Sequence, residues 1–350
     1  MKQFLVKLIT FLLSGAIPAI VLLGAGYLYF DPFKVLRNYG NYSYPIVAFN
    51  RDNVSTHTFS TNYKKQKYNS FIFGSSRTLA FKPESWQKFL NKNDNPFMFD
   101  ASRESIYGIY TKLKYLDSLH VKLDNSLILL CRDASFDYTS NHKGFLFVKH
   151  PIVTGESALR FHLIFLRSYL DLKFIRSFYT FIATNKYESY MSGYIETKMI
   201  RIDPITNGYT LESNDREIMA NPNKYYRNLE TVFYKRTGYK IDTVQRITSK
   251  HLYLLHEIKR ILDKNQTRYK IVLSPLYEQV KFNPGDLSIL KSIFGKNLYD
   301  FSGKNPLSEP KTNFYEDSHF RPHVGEIILN SIYKPAKPDN FTNYQALRLK

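Results

Sequence analysis

The apolar residues form one long run at the N-terminus and then a series of short segments between amphipathic stretches. Residues 8–30 contain no charged side chain, and an apolar run of this length predicts a helix that can cross a bilayer. Short buried strands alternating with helices predict a three-layer α/β fold around a parallel sheet. The predicted strands cover 68–73, 96–100, 126–131, 269–274 and 297–301.

The amphipathic stretches predict the helices and the domain boundaries. Helical periodicity covers 83–90, 104–118, 243–264, 285–294 and 322–333. Residues 145–245 break the alternation and predict a largely helical insertion, which covers the domain's own core or lies on a membrane or a partner. The predicted organisation is a signal anchor (1–30), a linker without steady periodicity (31–66), an α/β domain (67–335) and a C-terminal tail (336–350).

The residues before the apolar run predict its orientation. Lys2 and Lys7 precede it, and residues 1–30 contain no acid. By the positive-inside rule, the N-terminus stays in the cytoplasm and the remainder lies outside. We expect an uncleaved, single-pass anchor in a bacterial cytoplasmic membrane, and a cleaved signal peptide is the alternative.

The amino-acid composition limits the kinds of partner that the protein is expected to bind. The chain has 49 Lys and Arg against 30 Asp and Glu, a net charge of +19. Anionic lipid heads and envelope polymers suit such a surface. Nucleic acid is not the expected partner, because the sequence has neither zinc-finger spacing nor an aromatic RNA-binding signature. Cys131 is the single cysteine, so an intrachain disulfide is excluded. We expect neither a metal site nor a cofactor.

A serine follows the first predicted strand. The segment Phe71–Thr78 reads FIFGSSRT. Gly74 permits a sharp turn, and Ser76, two residues later, comes just after that turn. Catalytic groups of parallel sheets lie at the carboxyl ends of the strands. Ser76 is therefore a candidate nucleophile, and its own backbone N–H is a candidate oxyanion donor.

A histidine with acids before it follows the last predicted strand. Glu316 and Asp317 lie three and two residues before His319 on a loop that leads to the closing helix. A serine nucleophile needs a histidine base, and the base needs an acid that fixes its tautomer. The spacing leaves both acids open as the partner of His319.

Together these segments resemble the SGNH (GDSL-like) hydrolase superfamily. Gly74-Ser75-Ser76 resembles its Gly-Asp-Ser block, and Glu316-Asp317-Ser318-His319 resembles its Asp-x-x-His block. The residues after His319 are similar to those of membrane-anchored proteins related to the teichoic-acid D-alanylation protein and to alginate-type O-acetyltransferases. The resemblance implies an SGNH/flavodoxin-like fold, acyl transfer through Ser76, a cell-surface glycan or polymer as substrate, and a partner of the membrane-bound O-acyltransferase type.

The family's middle blocks supply a glycine and an asparagine to the oxyanion hole, and their places are open in this chain. The candidates for the oxyanion hole and cleft are Gly74, Ser102, Arg132 and Asp133. Three functions are compatible with the sequence: an O-acyltransferase, an esterase that acts on glycans, and a non-catalytic binding or assembly protein of an envelope acylation complex.

Overall fold

The computed structural model describes residues 1–236 and 238–334, so the predicted tail (336–350) lies outside the described residues. The helices are α1 (Lys2–Phe30), α2 (Arg51–Gln66), α3 (Pro83–Gln87), α4 (Ile106–Ser118), α5 (Pro151–Thr154), α6 (Ala158–Tyr169), α7 (Leu172–Thr184), α8 (Glu212–Ala220), α9 (Pro222–Asn228), α10 (Ser249–Lys264), α11 (Pro284–Phe294) and α12 (Pro322–Tyr333). Short 3-10 helices cover Ser76–Ala80, Ser189–Met191, Gly295–Asn297 and Lys311–Asn313. The strands are β1 (Ser70–Phe73), β2 (Pro96–Met98), β3 (Asn125–Leu130), β4 (Ile200–Ile202), β5 (Tyr209–Leu211), β6 (Lys240–Ile241), β7 (Arg268–Leu273), β8 (Val280–Lys281) and β9 (Leu298–Asp300).

A parallel sheet of five strands forms the centre of the fold, in the order β2-β1-β3-β7-β9. These strands coincide with the five apolar segments, so the predicted α/β fold with a parallel sheet is confirmed. Numbered along the chain, the order is 2-1-3-4-5, as in flavodoxin-like sheets. The order reverses between β1 and β3, and ligands of such sheets bind at the carboxyl ends of the strands there.

Both faces of the sheet are buried. Phe71 and Phe73 of β1 point into a core shared with α4 and α10. Ile72 points to the opposite face and is also fully buried. On the side of the closing helix, the Trp86 indole N–H donates to the Tyr333 hydroxyl at 2.9 Å. Burial on both faces explains why the strands are apolar along their whole length instead of alternating.

Residues 31–66 do not form the predicted linker, because their second half is α2. Asn50 caps this helix by accepting the backbone N–H of Asn53, and Phe59 is fully buried in the sheet core. Most other buried positions of α2 are polar, and Asp52 pairs with Lys112 of α4 at 3.0 Å. A helix that buries polar groups lacks the apolar stripe by which sequence patterns reveal helices.

The chain divides into two compact units. The anchor unit comprises residues 1–39, 45–49 and 158–197, and the sheet unit comprises 40–44, 50–157 and 198 onward. The predicted insertion (145–245) is therefore divided between the two units. Helices α6 and α7 belong to the anchor unit, whereas the antiparallel hairpin β4–β5 and helices α8 and α9 belong to the sheet unit.

Helix α1 is the one helix in the described part of the chain that is long and apolar enough to cross a membrane. Directly after it, Phe33 is buried and its ring stacks on Phe174 of α7 with centroids 5.0 Å apart. The anchor unit therefore has an aromatic core of its own.

Candidate active site

Gly74 shapes the turn that presents Ser76. Its φ of +148° is rarely adopted by residues with a side chain, and a Cβ at this position would lie 2.8 Å from the Leu129 carbonyl oxygen. The turn makes Ser76 the first residue of the 3-10 helix Ser76–Ala80. The backbone N–H of Ser76 has no partner inside that helix, because the first N–H groups of a helix lack intrahelical acceptors.

A tight loop holds the acid and the base together. Phe314 and Phe320 form an antiparallel bridge, and both side chains are buried. Between them, the Tyr315 N–H donates to the His319 carbonyl at 2.8 Å. The bridge closes the loop on Glu316 and His319 and directs both side chains towards the end of β1.

The structure brings Ser76, His319 and Glu316 into one hydrogen-bonded chain. The Ser76 Oγ lies 2.7 Å from the His319 Nε2, and the His319 Nδ1 contacts the Glu316 Oε1. Asp317 points elsewhere and accepts from the Ser318 hydroxyl at 3.4 Å. Of the two acids that the sequence left open, Glu316 is the partner of the imidazole. The His319 side chain is 21% exposed, so a substrate can reach it.

The electrostatics of the site keep Glu316 ionised. Burial of the carboxyl group alone raises its pKa, because desolvation disfavours the charge. The adjacent His319, together with Lys198 and Arg77, outweighs that effect, so the pKa of Glu316 lies below its usual value. A carboxylate at this position accepts the Nδ1–H of the imidazole and leaves the Nε2 free to take a proton from Ser76.

Arg77 ties three loops together beside Ser76. Its Nε donates to the Ser318 carbonyl at 2.6 Å, and its two terminal nitrogens donate to the Asp133 carboxylate at 2.8 Å each. Burial raises the pKa of Asp133, but Arg77 outweighs burial and the net shift is downward. A bidentate pair of this kind fixes both direction and distance, so Arg77 holds the loop of His319 at the serine.

Tyr209 of the β4–β5 hairpin is a site residue that the sequence did not reveal. Its hydroxyl donates to the Ser76 carbonyl, and burial raises its pKa, so the hydroxyl keeps its proton. The Arg51 guanidinium lies 4.6 Å from the centroid of the Tyr209 ring and pairs with Asp100. The hairpin therefore links the backbone of the serine turn to α2.

Two further tyrosines support the loop of His319 from α9. The Tyr225 hydroxyl donates to the Tyr315 carbonyl at 2.7 Å, and the Tyr226 hydroxyl donates to the Phe314 carbonyl at 3.0 Å. Both tyrosines come from a segment whose composition marks it only as an aromatic-rich insertion. No sequence signal separates them from the other 26 tyrosines of the 28 in the chain.

The four predicted oxyanion and cleft candidates differ in their surroundings. Gly74 shapes the serine turn, and Asp133 lies beside the site through Arg77. The Arg132 guanidinium pairs with Asp242 and with Glu278. Ser102 lies partly exposed in the loop after β2. In the part of the chain that the structure describes, its side chain makes no hydrogen bond to Ser76, His319 or Glu316.

The arrangement has the parts of a serine nucleophile with its base and acid. The 2.7 Å contact lets the imidazole remove the serine proton, and the backbone N–H of Ser76, at the start of its 3-10 helix, can donate to a developing oxyanion. Within residues 1–236 and 238–334, no group of three or more His, Cys, Asp or Glu side chains is placed to hold a metal ion.

We expect Gly325→Ala to disturb the site although it favours the helix. Alanine in place of glycine gains up to about 1 kcal/mol in a helix interior. The new Cβ, however, would lie 2.0 Å from the Ala80 carbonyl oxygen, at the end of the serine's 3-10 helix. Either α12 or the end of this 3-10 helix must shift, and a displacement of about 1 Å in a catalytic group lowers rates about 100-fold.

The measurement is the rate at which a serine-directed probe reacts with Ser76, together with the midpoint of thermal unfolding. Asn330→Ala is the matched control, because Asn330 is exposed on the same helix. Equal rates in both variants would contradict the prediction and show that the clash is relieved without displacing Ser76 or His319.

In comparisons with known proteins, no family model matches the chain, and no curated protein matches it at a significant level.

Proposed function

We propose that this chain is a serine-dependent acyl-transfer enzyme of SGNH type, anchored in the membrane and acting outside the cytoplasm. The observation that carries the proposal is the continuous contact from Ser76 through His319 to Glu316. It lies at the reversal point of a parallel sheet, where ligands of such sheets bind. The spacing of Gly74-Ser75-Ser76 and Glu316-x-x-His319 adds the resemblance to the SGNH superfamily.

The reaction proceeds in two halves. His319 Nε2 takes the proton of Ser76 Oγ as that oxygen attacks the carbonyl carbon of an acyl donor, and the Ser76 N–H donates to the oxyanion. The leaving group departs with the proton from His319, and an ester on Ser76 remains. An acceptor hydroxyl then attacks this ester while His319 Nε2 removes its proton, and His319 passes that proton to Ser76 Oγ as the acyl group leaves.

The acceptor decides whether the outcome is transfer or hydrolysis. A polymer or glycan hydroxyl at the acyl-Ser76 ester gives O-acylation, whereas water gives esterase activity. The basic balance of the chain suits an anionic envelope polymer. The resemblance to envelope acylation proteins favours transfer, with a membrane-bound O-acyltransferase partner delivering the acyl group.

The membrane part of the proposal rests on α1. Lys2 and Lys7 lie before its apolar run, and no acid occurs in its first turn. This asymmetry supports a cytoplasmic N-terminus, with the chain after α1 on the outer side of a bacterial cytoplasmic membrane.

A second candidate function is a non-catalytic binding or assembly role in an envelope acylation complex. The observation that favours it lies in the loop after β3. The Arg132 guanidinium is engaged in ion pairs there, and the Asp133 carboxylate, which pairs with Arg77, can only accept hydrogen bonds. Under this alternative, the serine and histidine form an ordinary, partly buried hydrogen bond.

Labelling with a fluorophosphonate probe tests the proposal. We expect the purified full chain in detergent to form a covalent adduct on Ser76. The labelling rate should fall by about 10³-fold or more in Ser76→Ala and in His319→Ala, because the nucleophile and its base act as a unit. The measurement is gel fluorescence over time, with the modified peptide located by mass spectrometry.

Ser292→Ala is the matched control, since this serine lies exposed on α11. Adduct formation that survives Ser76→Ala would exclude Ser76 as the nucleophile. Absence of an adduct in the unmodified chain, both alone and in native membranes, would favour the binding role.

A further inference from the structure

Helix α6 has two apolar faces. Phe161, Phe165 and Tyr169 are buried on one side of it. Leu159 is 69% exposed and Leu163 is 52% exposed. Their spacing of four residues places these leucines one turn apart on a single face, nearly opposite the buried aromatics. The aromatic face is the side of α6 that the anchor unit buries, and the leucine face stays exposed.

Helices α6 and α7 contact the last turns of α1. The Tyr169 hydroxyl donates to the Leu23 carbonyl at 3.0 Å, and the rings of Tyr179 and Phe30 lie 5.9 Å apart. Gly26 makes room for this contact, because a Cβ there would lie 2.1 Å from the Tyr179 hydroxyl. Leu23 precedes Phe30 by seven residues, or about 10 Å of helix at 1.5 Å per residue.

If α1 crosses a bilayer, these contacts bring the α6–α7 pair to the outer interface. The apolar run of residues 8–30 spans roughly 34 Å at 1.5 Å per residue, against a hydrocarbon core of about 30 Å. Its last turns therefore lie at the boundary between acyl chains and head groups. Tyr169 contacts the chain about two turns below the end of this run.

The charges beside the exposed leucines match an anionic lipid surface. Between residues 158 and 184 the basic side chains are Arg160, Arg167, Lys173 and Arg176, and Asp171 is the single acid, so the net charge is 4 − 1 = +3. Arg160 and Arg167 are exposed and seven residues apart on α6, next to the leucine face. Leucines flanked by arginines are typical of helices that lie in the head-group region.

We propose that the α6–α7 pair is an interfacial membrane-binding element. The leucine face of α6 enters the outer leaflet, and its arginines contact lipid phosphates. The element lies against the bilayer and restricts rotation of the anchor unit about the axis of α1. This inference rests on the membrane span in the proposed function, but it is independent of the chemistry at Ser76.

The depth of single nitroxide labels in the full chain tests the proposal. The labels are placed at Leu163→Cys, at Leu22→Cys within α1 and at Met219→Cys on α8, where the native side chain is 84% exposed. Cys131 is buried, and the chain without added cysteines serves as the labelling blank. The protein is reconstituted in phosphatidylcholine vesicles with about 30% phosphatidylglycerol, an anionic surface of the kind that attracts basic segments.

We expect the label at position 163 to collide with oxygen more than with a water-soluble nickel chelate. Its collision rate with the chelate should be about tenfold lower than that of the label at 219, as for a side chain below the phosphates. Arg160→Gln with Arg167→Gln should move the label at 163 towards water. Omission of the anionic lipid should do the same.

A deep label at 22 with water-like labels at 163 and 219 would overturn the proposal and leave the membrane span intact. Water-like labels at both 22 and 163 would overturn the span and the proposal together. A label at 163 that is water-exposed in vesicles but protected in native membranes would assign the leucine face to a protein partner instead of lipid.

Discussion

Replacing Glu316 with Gln is expected to lower turnover through Ser76 by about 10⁴-fold, the effect of the corresponding Asp→Asn change in a serine triad. The Glu316 carboxylate accepts the Nδ1–H of His319, and glutamine can present its amide N–H to the imidazole instead. The imidazole then keeps its proton on Nε2, the atom that must accept the proton of Ser76. The geometry of the site can remain intact while the base is lost.

Asp317→Asn is the matched control, because it removes a neighbouring carboxylate that points away from the imidazole. We expect its turnover to stay within about threefold of the unmodified chain, as for a charge that does not touch the reacting groups. Turnover of a small ester, or the rate of fluorophosphonate labelling, measures both variants. A large loss in Asp317→Asn with little loss in Glu316→Gln would assign the acid to Asp317.

The parallel sheet, the serine after β1 and the histidine loop before α12 were predictable from the sequence for one reason. Strands buried on both faces are continuous apolar runs, and such runs place the residue after β1 and the loop before α12 at the same edge of a sheet. The pairing of Ser76 with His319 follows from that topology, although 243 positions separate them. The choice between Glu316 and Asp317 did not follow, because it depends on the bridge between Phe314 and Phe320.

Helix α2 and the contacts of Tyr209 were not predictable from the sequence. Their structure depends on buried polar and charged side chains instead of an apolar pattern. Arg51 and Asp52 are buried charges, and a buried charge in sequence looks the same as a solvated one. Their partners lie on α4, in the loop after β2 and in the loop before α5. Charge pairs of this kind become visible only when the chain has folded.

The largest effect on stability is expected from Lys112→Met, in a buried charge cluster between α2 and α4. The members of this cluster are Arg51, Asp52, Asp100, Glu104, Lys112 and Lys149. The cluster therefore holds three positive and three negative charges. Lys112 is fully buried, pairs with Asp52 and Glu104, and donates to the Asp100 carbonyl at 2.8 Å.

Removal of one partner from a buried ion pair costs about 3–5 kcal/mol, because the remaining charge stays buried without compensation. Burial lowers the pKa of Lys112, but Asp52 and Glu104 outweigh it, so the lysine is charged and its loss unbalances the cluster. The measurement is the free energy of unfolding of the full chain in urea. Lys114→Met is the control, because Lys114 is exposed on the same helix and should change stability by no more than about 0.5 kcal/mol.

The pH dependence of the free energy of unfolding distinguishes two causes of the loss in Lys112→Met, an unbalanced charge and poorer packing. In the unmodified chain, burial raises the pKa of Asp52, but Lys112 and Lys149 outweigh burial and the net shift is downward. Ionised Asp52 therefore stabilises the fold above its unfolded pKa, and this stability is lost as the pH falls through the folded pKa. Without Lys112, protonation of the buried carboxylates relieves the imbalance, so the deficit of Lys112→Met should shrink as the pH is lowered. A deficit that stays constant with pH would mean that the stem of Lys112 stabilises the core by packing alone. Asp52→Asn added to Lys112→Met should recover part of the loss if charge is the cause.

The Lys112 ammonium also contacts the carbonyl of Asp100. The Asp100 carboxylate pairs with Arg51, whose guanidinium lies against the Tyr209 ring. We therefore expect the same variant to slow the labelling of Ser76.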